Sequence, residues 1–188
     1  MHLMTTNTTS RNTLQRKAAS MSADLLSYAV AACELGKVLI ARSAKGVCAI
    51  LLGNDAEELV ADLANRFPRA AFVLDEAAVK ADLVKVRRYL SNPAEGLDLT
   101  LDMRGTPFQQ RVWAKLKAIA SGKTVSYTEL AGQLSPRGNP RAVARACAAN
   151  PIALAVPCHR VIRSSGALAG YRWGLERKRA LLQREAMA

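Results

Sequence analysis

The sequence has few of the features that would place a protein outside the cell or in a membrane. Its four cysteines, Cys33, Cys48, Cys147 and Cys158, form no CxxC pair and no closely spaced set. This spacing argues against a zinc knuckle and against a secreted disulfide framework. No apolar run approaches the ~20 residues needed to span a bilayer, and the N-terminus has no apolar signal core. We therefore expect a soluble, cytoplasmic protein with reduced thiols and no membrane partner.

Acidic residues are scarce in the second half of the chain. Residues 1–103 carry 12 Lys and Arg against 12 Asp and Glu, whereas residues 104–188 carry 15 against 3, so the net charge of +12 lies in the second half. Such a surface attracts polyanions, because neutralising phosphates releases condensed counterions. Charge alone favours nucleic acid as the partner and ranks an anionic membrane surface second. A face that only aids solubility is the alternative.

The charge step coincides with turn residues at Arg104-Gly105, where we place a domain boundary. Residues 1–21 are rich in Thr, Asn and Ser without apolar periodicity, which predicts a mobile tail. Residues 22–103 are predicted to form a small α/β domain and residues 104–188 a mostly helical one. The fold class is therefore α/β.

Apolar patterning predicts the elements of the first domain. Three short runs between Tyr28 and Leu52, separated by Leu-Gly and Ala-Lys-Gly, indicate an antiparallel meander. Amphipathic helices are predicted over residues 55–67 and 76–90, and the alternation in LDLTLDM (97–103) predicts a further strand.

Capping signals predict the helices of the second domain. Thr106, Pro107 and Gln109 combine an N-cap residue, a proline at the first helical position and a glutamine three residues after the cap. Ser126 and Glu129 form a second capping box, which predicts a short helix.

A third helix, RAVARACAA, begins after Asn139-Pro140 and presents mainly Arg and Ala. Two short helices across a tight turn predict a helix-turn-helix, and small side chains would let the second helix approach a narrow minor groove. The alternative is a packed helix pair with solvated arginines.

The chemistry-bearing segment follows this helix. IALAV (152–156) predicts a buried strand, and PCHRVI (157–162) comes directly after it. A nucleophilic thiol needs a base or a positive environment, because its ordinary pKa is ~8.5. His159, the only histidine besides His2, could be that base for Cys158. A Cys-His pair can also be incidental, since neighbouring side chains on an extended segment point apart.

PCHRVI in this context resembles the active-site motif of the O6-alkylguanine-DNA alkyltransferases, also called methylated-DNA–protein-cysteine methyltransferases. The likeness runs from about Tyr28 to Glu185 and is greatest to the alkyltransferase modules of bacterial adaptive-response proteins. The segments that carry it, in the family's order and spacing, are CELGKVLIARSAKGVCAILLG, RGTPFQQRVW, VSYTELA, RAVARACAANP, PCHRVI and SSGALAGYRWG. The resemblance implies a ribonuclease H-like N-terminal domain and direct-reversal repair of alkylated DNA.

The resemblance implies a role for each catalytic position. Cys158 matches the alkyl acceptor, His159 the base that acts on it through a water molecule, and Glu185 the carboxylate that orients the histidine. Tyr127 matches the proton donor toward guanine N3. Asn150 matches the residue linking the recognition helix to the active-site segment.

It also implies the groups that contact DNA and the extruded base. Arg141 matches the arginine finger that fills the stack, with Arg145 as the alternative, and the other matched DNA-contact positions are Ala142 and Ser126. The matched base-binding positions are Val161, Ser164, Ser165, Gly166, Tyr171, Arg172 and Trp173. Backbone groups near Tyr171 and Arg172 would address the base oxygen, and the carbonyls of Cys158 and Val161 the exocyclic amine.

Several expectations follow from the resemblance. The substrate is duplex DNA with O6-alkylguanine, and also O4-alkylthymine, approached from the minor groove by a monomer and with the nucleotide flipped out. Each molecule acts once, no cofactor is needed, and no metal is expected because residues 22–103 supply no histidine.

Trp173 would narrow the pocket and favour methyl over bulky groups. No cysteine-rich sensor domain is present, so no transcriptional role is expected. The alternatives are a recognition module without repair and a thiol hydrolase.

Overall fold

The N-terminal half forms a sheet from the predicted apolar runs. The computed structural model describes residues 24–168 and 170–187, and its larger sheet contains β1 (Leu25–Cys33), β2 (Gly36–Ser43), β3 (Gly46–Gly53) and β4 (Ala71–Leu74). The strand order is β3-β2-β1-β4. β1, β2 and β3 are antiparallel neighbours, as predicted, whereas the short β4 pairs with β1 in parallel and was not predicted. The predicted tail, residues 1–21, lies outside the described residues.

Both tight turns of the meander depend on glycine. Gly36 and Gly46 begin β2 and β3 with φ of 103° and 145°, in a region that other residues rarely adopt. A Cβ on Gly46 would also lie 2.5 Å from the carbonyl oxygen of Thr100. These turns therefore tolerate no side chain without rearrangement.

Two helices cover the sheet where the periodicity predicts them. α1 (Ala56–Arg66) begins at Asp55, whose carboxylate accepts hydrogen bonds from two backbone amides of the first turn, and α2 (Glu76–Ser91) begins at Asp75. Each cap satisfies amides that have no partner within the helix. The buried residues of α1, Leu59 and Leu63, lie four apart on the face that meets the sheet.

Two segments predicted as strands are not strands, and both predictions were wrong for the same reason. Each contributes a single parallel bridge to the outer edge of β3, Leu101 to Val47 and Ile152 to Ile50. The edge is thereby shared by two chain segments, so neither LDLTLDM nor IALAV forms a continuous ladder. After its bridge, IALAV turns back, with Leu154 at φ 69°.

The C-terminal half is mostly helical, as predicted. It contains α3 (Pro107–Lys117), α4 (Tyr127–Gly132), α5 (Pro140–Ala148) and α6 (Leu175–Ala186), and a two-stranded parallel sheet of β5 (Val125–Ser126) and β6 (Val161–Ile162). The capping boxes that begin α3 and α4 are both formed. Across the described ranges this makes six α-helices, none long and apolar enough to cross a membrane.

Helix α5 packs against both α3 and α4. Its inner face buries Val143, Ala146 and Cys147, and the indole nitrogen of Trp113 on α3 donates to the carbonyl oxygen of Ala146 at 2.9 Å. The buried indole thus has its hydrogen-bond partner. This packing holds the outer face of α5, with its arginines, toward solvent.

Candidate active site

Asn150 organises the turn that carries Cys158. Its side-chain nitrogen lies 2.8 Å from the carbonyl oxygen of Val156 and 3.3 Å from the sulfur of Cys158, and its side-chain oxygen accepts from the amide of Ile152 at 2.9 Å. The residue is fully buried. One amide therefore satisfies the backbone of the turn and also contacts the thiol, which is why IALAV folds around a side chain and does not extend.

His159 and Glu185 form a buried hydrogen-bonded pair. The Nε2 of His159 lies 2.7 Å from Glu185 Oε1, although 26 residues separate them. An ionised carboxylate can only accept, so Nε2 carries the proton and Nδ1 is left as an acceptor. Among the residues described, Nδ1 has no hydrogen-bond partner. The imidazole is therefore oriented with its basic nitrogen available.

Glu185 is the acceptor for three side chains. Besides His159, the guanidinium of Arg160 donates to it at 2.8 and 2.9 Å, and the hydroxyl of Tyr89 donates at 2.7 Å. Burial alone would raise the pKa of Glu185, but the hydrogen bonds from His159 and Arg160 outweigh it and hold that pKa well below its usual range. The carboxylate is thus ionised at all working pH values.

The thiol and the imidazole are both neutral in this environment. Burial raises the pKa of Cys158 to about 11, against the opposing effects of the Asn150 hydrogen bond and the positive charge of Lys178. Burial also lowers the pKa of His159, with Glu185 opposing. At neutral pH the site holds a protonated thiol and an unprotonated imidazole, so attack by the sulfur would require a proton transfer.

A cavity of about 410 Å³ opens onto the sulfur of Cys158. The residues that line it are Tyr127, Ala144, Cys147, Ala148, Cys158, Gly170, Tyr171 and Arg172. Burial raises the pKa of Tyr127 to about 12, so its phenol keeps a proton that it can donate. The cavity walls are largely apolar and include the rings of Tyr127 and Tyr171, which suits a flat, aromatic group.

The predicted base-binding positions lie in two places. Tyr171 and Arg172 line the cavity, whereas Ser164, Ser165 and Gly166 lie on an exposed turn and are not among the residues that line it. The carbonyl oxygen of Val161 already accepts from Lys178 Nζ at 2.6 Å. A carbonyl oxygen has two lone pairs, so this bond leaves one site on Val161.

Trp173 does not line the cavity. Its ring packs edge-to-face behind Tyr171, with ring centroids 5.1 Å apart, and Tyr171 in turn lies 6.4 Å from the ring of His159. The expectation that Trp173 itself narrows the pocket is therefore wrong. Trp173 can affect the width of the pocket only through its contact with Tyr171.

The predicted DNA-contact residues lie on or beside the helix pair. Arg141 and Arg145 are exposed on α5, one turn apart, with Ala142 half-buried between them. The hydroxyl of Ser126 is buried and caps α4 by accepting from the amide of Glu129 at 3.1 Å. Ser126 thus has a structural task that its assignment to DNA contact did not include.

Sequence reasoning missed five side chains around the site: Asp62, Arg66, Tyr89, Arg160 and Lys178. A signal existed for Lys178, because it and Glu185 occupy one face of α6 with Leu181 between them, and charged residues on a buried stripe are unusual. It was missed because α6 was not predicted. Cys147 is buried and also lines the cavity. Over the described part of the chain, no group of three His, Cys, Asp or Glu residues could hold a metal ion.

A buried thiol thus lines a cavity, the next residue forms a buried imidazole–carboxylate pair, and the neighbouring helix α5 exposes two arginines, an arrangement typical of the class of thiol-dependent proteins that act on a polyanion. The family model described as the DNA-binding domain of 6-O-methylguanine DNA methyltransferase matches residues 107–187. The chain is 48% identical over 159 residues to the bifunctional transcriptional activator and DNA repair enzyme Ada of Escherichia coli. This match covers 85% of the chain and 45% of Ada, so the chain spans less than half of that relative.

Two other relatives are matched over most of their length. The methylated-DNA–protein-cysteine methyltransferase of Mycobacterium bovis is 46% identical over 117 residues, which are 62% of the chain and 71% of that protein. The crystal structure of Mycobacterium tuberculosis OGT in complex with DNA superposes with a TM-score of 0.71 at 35% identity, covering 86% of the chain and 93% of that structure. The chain belongs to the methylated-DNA–protein-cysteine methyltransferase family.

Proposed function

We propose that this protein repairs DNA directly by taking the alkyl group of O6-alkylguanine onto Cys158. The observation that carries the proposal is the buried hydrogen bond between His159 and Glu185, which lies beneath the cavity that Cys158 lines. Family membership supports the same reaction, and we extend it to O4-alkylthymine because the attacked group, an alkyl on an exocyclic oxygen of the base, is the same.

The reaction balances without a cofactor or a metal. His159 takes the thiol proton, directly or through a water molecule, and the sulfur attacks the alkyl carbon, so that a C–S bond forms as the C–O6 bond breaks. Tyr127 donates a hydrogen bond to N3 as negative charge develops on the leaving base, and the proton released from sulfur balances the one that guanine regains at N1. A thioether is a poor leaving group, so each molecule reacts once.

The DNA-facing part of the proposal assigns α4 and α5 to a helix-turn-helix that binds the minor groove. Support comes from two short, packed helices, from the exposed Arg141 and Arg145, and from the small side chain of Ala142 between them. Arg141 would enter the stack while the damaged nucleotide turns into the cavity. The target atom cannot be reached inside a duplex, and a damaged pair is less costly to open.

We also propose two domains, 22–103 and 104–188, and a monomer in the absence of DNA. The order β3-β2-β1-β4 with a parallel β4 supports a ribonuclease H-like N-terminal domain. The exposed turn Ser164, Ser165 and Gly166 would border the bound nucleotide, with Tyr171 and Arg172 at the base itself.

The test is intact mass measurement and peptide mapping after incubation with excess duplex containing O6-methylguanine, beside Cys158→Ala. One added methyl group on Cys158, with guanine restored, is the expected result. Tight binding to the lesion with no mass gain would instead indicate a recognition module. Repeated turnover of a small ester would indicate a thiol hydrolase.

Substrate size offers a second test. Tyr171 is backed by Trp173, which limits how far that wall can move, so methyl adducts should react faster than benzyl adducts. Single-turnover rates on the two duplexes make the comparison, and equal rates would contradict it.

A further inference from the structure

One turn of α1 contacts both sides of the Cys158 cavity. Asp62 and Arg66 are four residues apart and form an ion pair, with Nε 3.2 Å from Oδ2. Their side chains are 24% and 11% exposed, so the pair is mostly out of water. It belongs to the N-terminal half, although the nucleophile, base and acid all belong to the C-terminal half.

Each member of the pair holds one wall. The Nη1 of Arg66 donates to the carbonyl oxygen of Ala149 at 3.3 Å, where α5 ends beside the lining residue Ala148. The other oxygen of Asp62 accepts from the guanidinium of Arg172, which itself lines the cavity. The end of α5 and the segment that carries Arg172 are therefore connected to each other through a single turn of α1.

The energetics of the pair favour a geometric role over a stabilising one. Burial lowers the pKa of Arg66, which shows that its charge is kept at a cost, and its Nη2 has no partner in the described part of the chain. Ion pairs of this kind contribute little net stability compared with apolar residues of the same size. What the pair supplies is a defined distance between two walls and a positive charge near the thiol.

We infer that Asp62 and Arg66 are positioning residues, which set the width of the Cys158 cavity by holding Ala149 and Arg172 from α1. The inference rests on the proposed function. It predicts that loosening the pair slows the chemical step without weakening the attraction of DNA, since neither residue lies on the helix pair.

The experiment measures single-turnover methyl transfer as a function of DNA concentration, which separates the limiting rate from the half-saturating concentration. Asp62→Asn should lower the limiting rate about tenfold, because small misplacements of reacting groups are costly, and should change half-saturation by less than about twofold. Arg66→Gln removes the other member of the pair, which does not line the cavity, so it tests the inference even if Asp62→Asn folds poorly. The double variant should be no slower than the slower single variant.

Asp82→Asn is the matched control. Asp82 forms a comparable ion pair with Arg42 at 2.8 Å, with 12% and 33% of the side chains exposed, and it lies on α2 away from the cavity. Its limiting rate should equal that of the unmodified protein. An equal loss in Asp82→Asn, or no loss in Asp62→Asn and Arg66→Gln, would overturn the inference. Absence of methyl transfer in the unmodified protein would instead overturn the proposed function.

Discussion

At the scale of single residues, the site contains two neutral groups, the thiol of Cys158 and the imidazole of His159, and the proposed reaction moves a proton from the first to the second. Cys158 is kept protonated by burial and His159 is kept unprotonated by burial, while Glu185 fixes which imidazole nitrogen is the base. A resting thiol of this kind is protected from adventitious reaction, because the thiolate is the nucleophile.

The pH dependence of methyl transfer tests this arrangement. The reactive state requires neutral His159, whose pKa is lowered from 6.5, so activity should be lost only as pH falls below 6.5. Because the pKa of Cys158 lies near 11, the limiting rate should be flat from roughly pH 7 to 9. Single-turnover rates across this range are the measurement.

His159→Gln provides the comparison for that profile. Without this base, the rate of methyl transfer should be lower, and it should rise with pH as the fraction of Cys158 present as thiolate increases. A rate in the unmodified protein that climbs about tenfold per pH unit through neutrality would contradict the role of His159, since it would mean that preformed thiolate reacts unaided.

At the scale of elements, the two capping boxes begin helices with different tasks. Ser126 caps α4 and directly precedes Tyr127, whose phenol lines the cavity, whereas Thr106 caps α3 without touching the cavity. The same local signal therefore begins a helix away from the cavity in one case and precedes a cavity-lining tyrosine in the other.

Ser126→Ala and Thr106→Ala should distinguish these tasks. Each should lower the free energy of unfolding by about 1 kcal/mol, because each leaves an amide of the first turn without its acceptor. Only Ser126→Ala should also slow methyl transfer, since only it loosens Tyr127. Urea unfolding and single-turnover rates make the comparison, and equal rates in the two variants would show that the cap does not position the phenol.

At the scale of the whole molecule, charge is distributed so that one half carries the whole excess of basic residues. Residues 104–188 hold 15 basic and 3 acidic residues, and residues 1–103 are balanced. The N-terminal half instead contributes contacts to the cavity walls through Asp62 and Arg66. The C-terminal half thus supplies both the excess of basic residues and all the residues that line the cavity, whereas the N-terminal half contacts the cavity walls from outside.

DNA affinity should fall steeply with salt. If the basic half neutralises about five phosphates, the logarithm of the binding constant should fall against the logarithm of salt concentration with a slope of roughly −4 to −5. Fluorescence anisotropy between roughly 50 and 200 mM salt measures the slope. Arg145→Ala should reduce its magnitude, whereas Lys80→Ala, exposed on α2, should not. A slope near zero would contradict binding through phosphates.

The sequence by itself determined the elements whose signals are local. The meander, α1, α2 and the capped helices α3, α4 and α5 were predictable, because apolar periodicity and caps act within a few residues. The segment carrying Cys158 and His159 could be singled out for the same reason. For Glu185, only the family resemblance pointed to a role.

The tertiary structure decided what depends on distant contacts. LDLTLDM and IALAV were predicted as strands, but they share one edge of β3, and the second turns around Asn150. The convergence of Tyr89 and Arg160 on Glu185, and the hold of Asp62 on Arg172 across 110 residues, follow from how helices pack. No local pattern encodes such contacts, because they form only when elements far apart in the chain are brought together.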